Sequence, residues 1–567
     1  MNVFNKILLK AVLLPSGVYE KMGVNVRHLR AILMTKLIMD DRRPNSFQQM
    51  RRQARKKPIS NATLSTMAMS IIAGVLFVFI SAFLKNTVTQ LTIYFSFYIT
   101  FLASILIADF TSVLIDVRDT YIILPKPVTD RTVVLSRLLH IFIHICKTAL
   151  PMCLPGAVYF TYTYNALVLL VFLLMVGMAI LFTIFLINAC YIFILKITTP
   201  QKFQNIISYI QIVFAVFFYA CYQIVPRVAT RFSGFDITRY KSAPLFPSYW
   251  FAAAVSQAWQ PVNSLQVWLC VLLSLIAPLL SLWVVIKYFA PSFNQKLALI
   301  SAGTTEAGGG DSKLVPQAKG ISGYSKFMAQ LFTKKGAERA AFIFTWQLMI
   351  RSRDFKMKVY PAIGYVAVII VLTMFNIKIS VQDITGLTAK GKSAILIIIY
   401  FSNLLLVSGL GQLIYYEKYK AAWVFYSAPI EVPGKIVSGA VKACIAQFFF
   451  PIALIIFLVL TGLAGVSILP NILLGFSNAF LLGSLAGYFI VNRLPFSCPP
   501  NIKASRGTLR IAMVSIFGFV MASIQYSIIN ITPVVIIFTL LSAGAAWLLL
   551  DSIKKLSWQK INANYED

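Results

Sequence analysis

The feature that most constrains this chain is a series of uninterrupted apolar blocks, each about twenty residues long, set between polar segments. About 20 residues at 1.5 Å per residue cross the roughly 30 Å hydrocarbon core of a bilayer as helix. Such blocks fall at about 64–84, 90–115, 138–162, 166–194, 205–225 and 266–288, and again at about 359–377, 394–415, 443–464, 469–492, 510–530 and 533–551. The fold class expected is therefore all-α and integral to a membrane, with about twelve transmembrane helices in two six-helix parallel repeats.

Composition decides between lipid and water as the solvent. Of 567 residues 59% are hydrophobic and only 12% charged, against roughly a quarter charged in a soluble domain. The net charge of +33 raises nucleic acid as a partner, but most Lys and Arg fall on one side of the predicted spans. That is the bias of cytoplasmic segments, so no nucleic acid is expected. Multi-pass insertion in the plasma (inner) membrane with both termini cytoplasmic follows.

Five segments are read along the chain. Residues 1–63 form a basic N-terminal segment with an amphipathic surface helix and the run Arg51, Arg52, Arg55, Lys56, Lys57; residues 64–288 form the first half. Residues 289–357 are a linker with a glycine-rich stretch from Gly303 to Gly310, residues 359–551 the second half, and residues 552–567 a basic tail.

Chemistry-bearing motifs are few. Gly386-Leu-Thr-Ala-Lys-Gly391-Lys392-Ser393 matches the phosphate-binding pattern GxxxxGK[ST]. It joins two spans with no strand to deliver it, so it is read as a coincidence of letters. His140 and His144 share one face of the third span without a third ligand, and the seven cysteines are scattered without a CxxC pair. No Ser/His/Asp grouping, carboxylate pair or HExxH occurs. Asp109 and Lys147 are the intramembrane charges, placed to pair with each other or to snorkel to the membrane edge.

The loops after the second and eighth blocks carry more information. Arg118-Asp-Thr-Tyr-Ile-Ile-Leu-Pro-Lys-Pro127 and Lys420-Ala-Ala-Trp-Val-Phe-Tyr-Ser-Ala-Pro429 align without a gap, which sets Tyr121 on Trp423 and Ser136 on Ser438. Each proline restricts the residue before it and ends one short helix before the next begins. A short helix on the membrane surface is expected, offering apolar side chains to the interface or to a cytoplasmic partner.

These segments, Leu124 to Arg137 and Tyr426 to Lys442, resemble the L-x-x-x-P-(V/I) stretch after the second span of type-2 ABC exporter permeases. The pre-span segments Leu33–Arg43 and Phe344–Lys358 are similar to that family's connecting helices, and Pro247-Ser-Tyr-Trp250-Phe-Ala to its non-cytoplasmic stretch before the last span. Two departures stand out: almost no loop near Asn530–Thr532, and Pro433 in place of Arg131.

The resemblance implies a fused twelve-span permease coupled to a separate cytoplasmic ATP-binding-cassette ATPase. ATP and Mg would sit on that partner, with no cofactor, metal or catalytic residue on this chain. Its coupling surface would be Tyr121, Leu124, Pro127 and Arg131 with Trp423, Phe425, Pro429 and Lys435. The alternative, an ion- or proton-coupled secondary transporter, needs titratable groups at mid-membrane. The substrate is not legible.

Overall fold

A computed structural model describes residues 3–21, 23–42, 62–114, 127–198, 200–232, 234–284, 287, 322–376, 382–383, 386, 388–491, 493–499 and 507–561. Among them every regular element is helical except one isolated bridge, Tyr415 to Cys498. Helices satisfy their own backbone hydrogen bonds, which lipid cannot do for them. The chain divides into two compact units, residues 1–211 with 221–311, and residues 312–567 with 212–220.

In the first unit α1 (Val3–Leu13), α2 (Ser16–Lys21) and α3 (Val26–Arg42) precede the long apolar helices. Asn25 starts α3, its Oδ1 accepting from the backbone N–H of Arg27 and His28 at 3.0 and 3.2 Å. Then come α4 (Ala62–Ala82), α5 (Thr87–Leu114), α6 (Asp130–Thr163), α7 (Ala166–Ile197), α8 (Pro200–Phe232, of which residues 212–220 are grouped with the second unit), α9 (Pro247–Gln257) and α10 (Leu265–Val284). A side chain at Gly74 would meet the Met152 carbonyl at 2.2 Å, so α4 lies backbone to backbone on α6. Rings fill the core: Phe160 and Phe172 stand 5.4 and 5.6 Å from Tyr94, and Phe251 of α9 stands 5.8 Å from Phe95.

The second unit runs α11 (Gly323–Phe332), α12 (Ala337–Arg351), α13 (Arg353–Asn376), α14 (Ala389–Gln412) and the short α15 (Trp423–Ser427). α16 (Gly434–Cys444) continues through a π turn, Ile445–Phe449, into α17 (Phe450–Ala464), followed by α18 (Leu469–Ile490), α19 (Gly507–Ile528) and α20 (Thr532–Lys554). The pre-span helix expected at Phe344–Lys358 is divided. Ser352 leaves the helical region at ψ 118°, and its hydroxyl accepts from the Phe355 N–H at 3.3 Å, so α12 ends and α13 begins there. A buried polar chain ties α14, α18 and α19: Asn478 donates to the Tyr400 hydroxyl at 2.8 Å, which donates to Gln525 Oε1 at 2.9 Å.

Ten helices among the described residues are long and apolar enough to cross a bilayer. Two further stretches, Leu265–Ser281 and Ala512–Ile528, are apolar but shorter; each reaches only about 25 Å at 1.5 Å per residue. The protein is a multi-span, all-helical integral membrane protein.

Candidate functional site

The loop after α14 is a built structure. Residues 413–416 run beside 496–498, where the N–H groups of Phe496, Cys498 and Tyr416 donate to Leu413, Ile414 and Cys498 carbonyls, each at 2.9 Å. Phe496 holds φ 55°, a costly conformation for a residue with a side chain. Its buried ring is wedged edge-on between Tyr416 and Phe355 at 5.7 and 6.3 Å, which keeps it there.

Beyond this clamp a 3₁₀ turn (Tyr419–Ala422) leads into α15. Ala428 is extended, with ψ 142°, as the residue before Pro429 must be, and the helix stops after five residues. The five have two faces. Phe425 is 8% exposed and packs edge-on against Phe344 of α12 at 5.6 Å, while Trp423 is 66% exposed and Val424 and Tyr426 also face outward.

The chain's C-terminal segment braces this helix from the side. Trp558 donates its indole N–H to the Ile430 carbonyl at 2.9 Å and sets its ring 5.3 Å from that of Tyr426. The Gly434 N–H donates to the Leu556 carbonyl at 3.1 Å. Pro429 and Lys435 are exposed on the same short stretch, so Trp423, Phe425, Pro429 and Lys435 come together around one small helix.

In the first unit Tyr121 and Leu124 lie outside the described residues, as does the side chain of Asp109 on α5. Pro127 and Arg131 are exposed at the start of α6. The Asn25 N–H donates to Thr132 Oγ1 at 3.2 Å, which ties that end of the loop to the start of α3.

Two partly buried charge clusters, which the sequence did not reveal, join each pre-span helix to its neighbours. Lys147 has Asp40 of α3 as its carboxylate, its Nζ 4.0 Å from Asp40 Oδ2, and His140 Nε2 lies 2.8 Å from the same oxygen. In the second unit Glu338 of α12 accepts from Lys442 of α16 at 2.6 Å and from Ser438 at 3.1 Å, with Lys554 of α20 at 3.6 Å. Lys442 also donates to the Phe332 carbonyl at 2.9 Å.

Burial pushes both carboxyls up, but the bonded cations outweigh it. The hydrogen bond and charge of His140, with the charges of Lys147 and His144, hold Asp40 below the usual carboxylate range. Lys442, Lys554 and Ser438 do the same for Glu338. One signal could have found the clusters: the register that sets Pro127 on Pro429 also sets His140 on Lys442.

At the phosphate-loop lookalike, Thr388 Oγ1 accepts from the Gly391 N–H at 3.3 Å and caps α14. Gly391, Lys392 and Ser393 lie inside that helix, and no strand precedes it among the described residues. Nor, among the described residues, do three His, Cys, Asp or Glu side chains gather as a metal site would require. Comparison with protein-family models, with curated proteins and with solved structures gives no match.

Proposed function

We propose that this chain is the permease of an ATP-driven exporter, moved by a separate ATP-binding-cassette ATPase that docks on the loops ending at Pro127 and Pro429. The observation that carries the reading is α15: a five-residue helix anchored by Phe425, braced by Trp558 and stopped by Pro429, with Trp423, Val424 and Tyr426 presented outward. A mere connection between spans has no use for a clamp, an anchor and a brace. A lever does, because force applied to an anchored helix passes into α12 and α16 instead of being lost in a floppy loop.

In this reading the two units are six-span repeats, twelve spans in all, in the plasma membrane with both termini cytoplasmic. ATP and Mg are bound and hydrolysed on the partner, and closure of its two subunits rocks the halves between inward-open and outward-open states. A proton-coupled carrier would place titratable groups at mid-span. Lys147 and Lys442 are instead engaged by Asp40 and Glu338 on pre-span helices.

Trp423→Asp tests the docking. It places a charge on an exposed side chain, so the chain still inserts and folds, while co-purification with a P-loop ATPase and ATP-dependent export both drop at least tenfold. Export that persists in the variant, or that follows a proton gradient with no ATPase present, overturns the reading.

A further inference from the structure

The helices that open the two units match each other. Phe4-Asn5-Lys6-Ile7-Leu8-Leu9 of α1 aligns without a gap on Tyr324-Ser325-Lys326-Phe327-Met328-Ala329 of α11. Burial follows the same register: Asn5 and Ser325 are buried, Lys6 and Lys326 exposed, Ile7 and Phe327 exposed, Leu9 and Ala329 buried. At about 100° per residue this makes three sectors on each helix. One packs on the protein, one carries Lys6 and Lys10 or Lys326 and Gln330, and between them lies an apolar sector open to the surroundings, with Ile7 58% and Phe327 59% exposed.

Both helices lie at the level of the spans. Asn5 donates to Thr63 Oγ1 at 3.3 Å, and Thr63 is the first residue of a span; Leu9 and Val12 pack with Ile143, which is inside another. The Phe332 ring at the end of α11 meets that of Phe450 at 6.1 Å, an exposed side chain of the 30-residue apolar stretch Gly434–Leu463. The free sector of α11, with Tyr324, Phe327 and Leu331 exposed, thus lies beside an exposed side chain of a span.

We propose that α1 and α11 are corresponding interfacial helices, each of which sinks its apolar sector into the leaflet beside its own unit and holds anionic phospholipid headgroups with the flanking lysines. Lys6 and Lys10 serve α1; Lys326, Lys334 and Lys335, all exposed, serve α11. Charge complementarity selects this occupant: five cations surround the two apolar sectors, the arrangement that attracts an acidic leaflet. The pairing stands independently of how transport is powered, since it concerns where each unit's first helix rests.

The test uses the full chain in lipid nanodiscs. Ile7→Cys, Phe327→Cys and Gln330→Cys each receive an environment-sensitive fluorophore, with identically treated unsubstituted protein as background for the native cysteines. Expected are quenching by lipids brominated on the acyl chain at 7 and 327, at least twofold stronger than at 330, and little quenching by aqueous iodide at the first two. Replacing phosphatidylglycerol by phosphatidylcholine weakens the acyl-chain quenching at 327 at least twofold, and the combined K326Q, K334Q and K335Q change removes that lipid dependence. Equal iodide access at 327 and 330 overturns the proposal. So does shielding at 327 that appears only in discs holding two copies, or only after a soluble protein is added.

Discussion

Glu338 joins three helices through one carboxylate, receiving Lys442 of α16, Lys554 of α20 and Ser438. Removing the acid strands two cations at a partly buried junction, where the cost falls below the roughly 3–5 kcal/mol of fully buried pairs. Glu338→Gln therefore lowers the unfolding temperature of the detergent-solubilised protein, and adding Lys442→Met restores part of the loss. The sign of the pH effect follows from the depressed carboxyl. Its contribution is whole above the unfolded value of about 4.3 and is lost as pH falls through the lower native one. The wild type loses stability across that acid window more steeply than Glu338→Gln, as thermal scans at each pH will read. Glu338 and Asp40 were not legible because an acid in an amphipathic segment has many uses, and its partner stands about a hundred residues away. Lys147 stood out as an intramembrane charge, yet hydropathy says only that such a group needs a partner and not which helix supplies it.

Among the elements, α15 was the most legible and its supports the least. Prolines fix local conformation whatever surrounds them, so Pro429 and the extended Ala428 before it are written in the sequence. The clamp of 413–416 on 496–498 has no such mark. It is built from irregular segments without alternation and depends on Phe496 at positive φ, which a phenylalanine adopts only when packing compels it. Trp558 was likewise hidden in a basic tail. It contributes one hydrogen bond and one ring contact to α15, together about 1.5 kcal/mol at a partly open site. Trp558→Ala should thus speed amide exchange across residues 423–430 about tenfold while leaving α16 protected, as local opening requires. Exchange that rises equally along α16 would mean that the indole supports the whole unit and not the short helix.

For the whole molecule, the apolar blocks predicted the helices because lipid leaves no other way to satisfy a backbone, and that rule needs no tertiary information. Where lipid stops ruling, prediction weakened: the second pre-span helix, expected at Phe344–Lys358, broke at Ser352, and α9 proved a short helix packed into the first unit. Orientation is the remaining step, and the proposed function rests on one choice of it. The loops carrying Arg131, Lys418, Lys420 and Lys435 are basic, whereas the turn between α17 and α18, Gly465 to Ile468, holds no charge at all. Moving basic loops across a membrane opposes the bias that fixes topology, so the proposed topology keeps them on the cytoplasmic side. Cysteine introduced at Ser427 should react with a membrane-impermeant maleimide only after cells are opened, whereas cysteine at the exposed Val466 reacts in intact cells. Labelling of both positions in intact cells would break the topology. Reversal of the two would place α15 outside, where no cytoplasmic ATPase could press on it.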